Sequence, residues 1–106
     1  MVIKNRLVPF KGFKAMNVCG IIFVREEFVM YENDFNHESI HTEQWKELLY
    51  IGFIVLYVLD FIFNYVKFRN WHEAYREIFF EKEAYSHEYD FEYLKNRKKF
   101  SWIDYL

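Results

Sequence analysis

Cysteine is almost missing from this chain. Cys19 stands alone, so no intrachain disulfide can staple the fold and no redox compartment can be read from cysteine spacing. Punctuating residues are equally scarce, with one proline, Pro9, and three glycines, Gly12, Gly20 and Gly52, and no repeat or low-complexity stretch. Most of the chain should therefore be regular structure. Positive charge is not in excess either: 14 basic against 16 acidic residues give a formal net charge of -2, which argues against nucleic acid as a partner. The first residues carry Lys4, Arg6, Lys11 and Lys14 but lack the continuous apolar stretch and small-residue cleavage site of a signal peptide. Export is not indicated, and the chain reads as cytoplasmic.

Aromatic residues are plentiful. They make up 24% of the 106 residues, within a total apolar share of 53%, so rings must fill much of the interior and some of the surface of one domain, 1–106. Residues 18–24 are rich in β-branched and aromatic types, and a second short run follows at 28–31 after Arg25-Glu26-Glu27; the pair reads as a hairpin. Asn33, Asp34 and Asn36 are capping types, and helix formers follow, so a helix is expected to start near Asp34. It leads into an almost continuous apolar run at 48–66. A third helical segment is expected over 71–98, where aromatics recur at three- and four-residue spacing among Glu, Lys, Ala and Arg. The fold class is α+β, mostly helical, with a short β-hairpin ahead of the first helix.

That first helix carries His37-Glu38-Ser39-Ile40-His41. Positions four apart share one helix face, so His37 and His41 can aim imidazole nitrogens at one ion, about 2 Å from each. Glu38 lies about 100° round the helix, where its carboxylate can reach water at the metal without ligating the ion. Zinc acidifies such a water, and a carboxylate can take its proton during attack on a carbonyl. The spacing suits hydrolysis, with Glu38 as general base. A plain solvated helix face is the bland alternative.

Together with Glu81-Lys82-Glu83-Ala84-Tyr85 downstream, this motif resembles the gluzincin metallopeptidases, and in size the minigluzincins. The second run looks like the Glu-x-x-Ala-Asp element of the membrane-linked gluzincins related to the CaaX prenyl peptidases and the heat-shock protease HtpX. The resemblance implies a zincin-like fold, a zinc cofactor, a peptide or protein substrate, and a helical glutamate as third ligand after His37 and His41. Tyr85 departs from the pattern: it stands where an aspartate is expected, so a carboxylate supporting the ligands must come from elsewhere or be absent. The resemblance also implies an edge strand that pairs with extended substrate, a role falling to residues 18–24.

Helical geometry bears on which glutamate serves. Glu77, Glu81, Ala84 and Glu88 form one stripe, and Glu83 points about 200° away from Glu81. Glu81 is expected as the ligand, with Glu77 the choice if the helix docks one turn lower. His72 and His87, flanked by glutamates, read as solvated or hydrogen-bonded histidines. Tyr85, Tyr89, His87 and Arg76 are all candidates for an oxyanion donor.

Residues 48–66 would span about 28 Å as a helix, close to a bilayer core. Asp60 at depth would cost about 2.5 to 3.5 kcal/mol, with Asn64 one turn further on the same side. A buried core helix with its polar side turned to the site or solvent is the expectation, and membrane contact through 48–66 the alternative. The tail from 95 to 106 is expected to pack back onto the domain. A function from another class also fits: a noncatalytic zinc-stabilised module whose aromatic surface binds a protein partner or a membrane face. Glu38 favours the enzyme, since a structural zinc needs no base beside it.

Overall fold

Three short strands precede a run of helices in the computed structural model, which describes residues 2–7 and 13–106; Pro9 and Gly12 lie outside them. The strands are β1 (Val2–Asn5), β2 (Ala15–Val18) and β3 (Ile21–Arg25), in the sheet order β1-β3-β2. β3 is central, parallel to β1 and antiparallel to β2. A hairpin does precede the motif helix, but its turn falls inside the run read as one strand. Val18 pairs with Ile21, leaving Cys19 and Gly20 as a two-residue turn with φ of 54° and 89°. Positive φ at both positions is the twist-matched hairpin turn, and Gly20 adopts it without a Cβ penalty. Residues 28–31 form no strand.

The helices are α1 (Glu32–Glu47), α2 (Ile51–Phe68), α3 (Trp71–Arg76), α4 (Phe79–His87) and α5 (Tyr93–Asn96), followed by a 3-10 turn at Ser101–Tyr105. α1 starts slightly before the expected point. Asp34 acts from inside its first turn, its Oδ2 accepting from the Tyr31 backbone N–H at 2.9 Å. α1 and α2 are separate because the chain reverses at Leu49 and Tyr50, with φ of 53° and 67° and a bond from Tyr50 N to Trp45 O of 2.9 Å. Gly52, the visible breaker, lies within α2 instead; a Cβ there would meet Leu48 Cβ at 3.3 Å. The helix expected over 71–98 is interrupted twice, at Glu77–Ile78 and again between His87 and Tyr93. Asp60 of α2 causes the first restart, its Oδ2 accepting from Phe79 N at 2.9 Å and so capping α4 from a neighbouring helix.

The core is an aromatic cluster of Trp45, Phe53, Ile78, Phe79, Phe80 and Trp102. Trp45 and Phe80 flank Phe53 at ring-centroid distances of 4.4 and 4.6 Å, pairs worth about 0.5–1.5 kcal/mol each beyond their burial. Trp102 brings the tail back onto the domain, as expected. Arg97 secures it, buried between Glu83 and Glu47 with Nε to Glu83 Oε2 and Nη1 to Glu47 Oε2 both at 2.6 Å. These charges are satisfied as a network, which is what allows them inside.

α2 is not the buried helix expected. Phe53 and Asn64 are its buried residues, and its polar side faces the body: Tyr57 bonds to Glu81, Asp60 to Phe79 N, Asn64 to Ala74 O. Its other side is aliphatic and aromatic and faces outward, with Leu59 57%, Ile62 53%, Phe63 66% and Val66 65% exposed. Length and mean hydropathy would let it cross a membrane.

Candidate metal centre

One face of α1 is polar and yet buried. Asn36, His37, Glu38, His41 and Gln44 are all shielded from solvent, an expensive arrangement for a helix unless each polar group is matched. α4 supplies the match. Its Glu81 is buried opposite the two histidines, and Ala84, one turn on and fully buried, offers no bulk to hold the helices apart.

Glu81 Oε1 lies 3.1 Å from His37 Nε2 and 3.1 Å from His41 Nε2, and the two Nε2 atoms are 3.2 Å apart. Three atoms at that spacing form nearly the triangle that tetrahedral ligands make round an ion with bonds of about 2.0–2.1 Å, whose edge is roughly 3.3 Å. Among the described residues, His37, His41 and Glu81 are the group that could hold a metal ion. Glu77 instead lies 3.9 Å from Lys82, and Glu83 turns away to Gln44, Tyr93 and Arg97.

The remaining ring nitrogens fix the tautomers. His37 Nδ1 lies 3.0 Å from Glu88 Oε1, and an ionised carboxylate can only accept, so Nδ1 carries the hydrogen. His41 Nδ1 lies 2.7 Å from Gln44 Oε1. The Gln44 amide nitrogen is already donating to Phe80 O at 3.0 Å and Glu83 Oε1 at 2.9 Å, so its oxygen accepts from His41. Without a metal, Nε2 of each histidine donates to Glu81 Oε1; once deprotonated there, both would turn an Nε2 lone pair to the same point. Three electron-rich atoms converge on one buried point, an arrangement that calls for a cation and is compatible with zinc.

The protonation equilibria register the same demand. Burial alone would lower the His37 pKa, but hydrogen bonds to Glu81 and Glu88 outweigh it and raise the value to about 10. For His41 burial acts in the same downward direction, and the charge of Glu81 reverses it to a net rise. Burial would raise Glu81, yet the charge of His41 and the bonds from both histidines hold it well below the usual carboxylate range. Burial pushes Glu38 up, with His41 and His37 partly offsetting.

Several supporting residues escaped the sequence. Glu88 takes the role that Tyr85 cannot, one turn later on the same helix stripe. Tyr57 donates to Glu81 Oε2 at 2.7 Å, leaving Oε1 for the histidines. Asn36 donates its amide to the carbonyls of His87, Glu88 and Asp90 at 2.9–3.1 Å, holding the chain that leaves α4 against α1. Asn17 of β2 bonds to Glu38 O at 2.8 Å and Thr42 Oγ1 at 2.7 Å, tying the sheet to α1. Only their geometry reveals them, because Asn, Gln and Tyr at these spacings match no motif.

Two cavities adjoin the centre. The first, of about 440 Å³, is walled chiefly by apolar side chains including Met16, Trp45, Phe53, Ile54 and Val58, with Glu38, His41 and Glu81 among its lining. The second, of about 530 Å³, is bounded by His37, Glu38, Tyr75, Tyr85 and Glu88. The strand beside the first cavity is β2; residues 21–25 lie in the central β3, already paired on both sides, so the edge expected at 18–24 is instead Ala15–Val18. Of the proposed oxyanion donors, Tyr85 borders the second cavity, its ring 4.5 Å from that of His37 and under the Arg76 guanidinium at 3.8 Å. Tyr89 is exposed, and His87 stacks on Tyr93 and bonds to Tyr105 Oη at 2.7 Å. His72 also lines the second cavity, edge-on to Trp71. No family model matches the chain, and neither a curated protein nor a solved structure matches it.

Proposed function

We propose that this chain is a zinc-dependent peptidase in which His37, His41 and Glu81 hold the ion and Glu38 is the general base. The observation that carries the reading is a buried carboxylate, Glu38, bordering both cavities beside three convergent donor atoms. A structural ion would need no such neighbour. Zinc held there would supply Lewis acidity, polarising a substrate carbonyl and acidifying water.

Glu38 takes the proton of the attacking water as the new C–O bond forms, and returns it to the amide nitrogen as the C–N bond breaks. Tyr85, on the wall of the second cavity, would donate its hydroxyl proton to the carbonyl oxygen as charge builds there. β2 offers its free edge to an extended peptide, and the apolar cavity beside it suits a bulky apolar side chain next to the scissile bond.

A peptide library incubated with zinc-loaded wild type, with chelated protein and with Glu38→Gln tests the reading. Cleavage by the loaded wild type alone, next to bulky apolar residues, is the expected outcome. Equal cleavage by Glu38→Gln, or none by any sample, would count against it.

A further inference from the structure

α2 is built inside out. At about 100° per residue, Tyr57, Asp60 and Asn64 fall on one side, with the exposed Lys67 at its edge, and the first three are spent on hydrogen bonds to α3 and α4 or the residues beside them. The opposite side, roughly half the circumference, runs from Ile51 through Ile54, Val58, Leu59 and Ile62 to Val66 without a charge, each of these about half exposed or more. A soluble protein seldom leaves so broad an apolar face open.

We propose that this outer arc is a membrane-docking surface that lies along an anionic bilayer, its side chains among the acyl chains and the rest of the protein in water. Its breadth favours lipid over another protein. A partner helix covers only the narrow seam of a heptad, whereas half a circumference needs an apolar medium on every open side. Its C-terminal end is dressed for the interface: Tyr65, Lys67, Phe68, Arg69 and Trp71 crowd it, where aromatic rings and cations meet headgroups. No carboxylate lies on the arc to oppose an anionic surface. Crossing the bilayer is disfavoured, because withdrawing α2 would break its bonds to Glu81, Phe79 N and Ala74 O. The helix therefore lies flat, immersed on one side.

Ile54 and Val58 belong both to this arc and to the wall of the apolar cavity that reaches Glu38 and His41. Docking would place the mouth of that cavity at the lipid surface. The proposal does not depend on the metal or on catalysis.

Flotation of the full-length protein with phosphatidylcholine vesicles, with and without phosphatidylserine, tests it. Wild type should float with the phosphatidylserine vesicles, and Leu59→Asp should weaken that partition by at least about tenfold, given the cost of a carboxylate among acyl chains. Lys67→Glu combined with Arg69→Glu should abolish the preference for phosphatidylserine. Circular dichroism checks that each variant folds. Should Leu59→Asp fail to fold, an environment-sensitive dye on Ile62→Cys in a Cys19→Ser background reads the same contact, and a blue shift with vesicles is expected. Wild type that stays unbound to both vesicle types would overturn the proposal. So would a stable dimer in vesicle-free solution that Leu59→Asp dissociates, since the face would then belong to a second copy.

Discussion

His37 Nδ1 and Glu88 Oε1 sit 3.0 Å apart, one near the start of α1 and the other just past the end of α4. This bond decides which nitrogen of His37 faces Glu81, and it binds the two ligand-bearing helices together at the same point. Supporting carboxylates of this kind raise ligand basicity and hold ring orientation.

Glu88→Ala should accordingly leave the fold in place and weaken zinc binding by about ten- to a hundredfold, the usual effect of removing such a partner. Gln44→Leu should act likewise through His41. Competition against a zinc-binding dye measures both, and unchanged affinity in either would show that the bond orients nothing.

Glu38→Gln keeps the shape of the side chain and loses its basicity. Zinc should stay bound while peptide hydrolysis falls by at least about a hundredfold. Tyr85→Phe should lower kcat by a comparable factor of about a hundred with KM little changed, because its hydroxyl proton would meet charge that develops only during reaction. A change confined to KM would remove Tyr85 from that role.

Much of this centre was legible in the sequence because its ligands obey helical spacing. His37 and His41 are four apart, and Glu81 shares a stripe with Ala84 while Glu83 points elsewhere. What could not be read depends on contacts between distant segments. The break before Phe79 comes from Asp60, 19 residues earlier, and no residue near Glu77 announces it. The reversal at Leu49 and Tyr50 uses positive φ without a glycine, and Gly20, which does mark a turn, lay hidden in an apolar run. Hydropathy gave α2 its helix but not its exposure, since apolar residues look the same facing a core or facing outward.

Asp60 gives a stability test. Asp60→Ala removes the acceptor for Phe79 N and should cost roughly 0.5–2 kcal/mol in urea unfolding, the range for a lost helix cap, whereas Asp60→Asn should stay near wild type. Because α4 carries Glu81, Asp60→Ala should also loosen zinc. Equal stability of the two variants would deny the cap.

The metal-free protein should respond to alkali. A histidine whose folded pKa lies above its ordinary 6.5 adds stability that is complete below that value and lost as pH climbs; for His37 the loss runs up to about 10. Tm of chelated protein should therefore fall across that window. With zinc bound the ion replaces the proton, and Tm should hold nearly level. Parallel melting curves for the two forms would contradict this.

Zinc content is the most direct test of the centre itself. Protein purified without added metal, dialysed and measured by mass spectrometry of the elements, should carry one zinc per chain in the wild type and lose it in His37→Ala, His41→Ala and Glu81→Ala while retaining it in Glu77→Ala and Glu83→Ala. Wild type that neither carries zinc nor takes it up on titration, or Glu81→Ala that holds as much as wild type, would contradict the site.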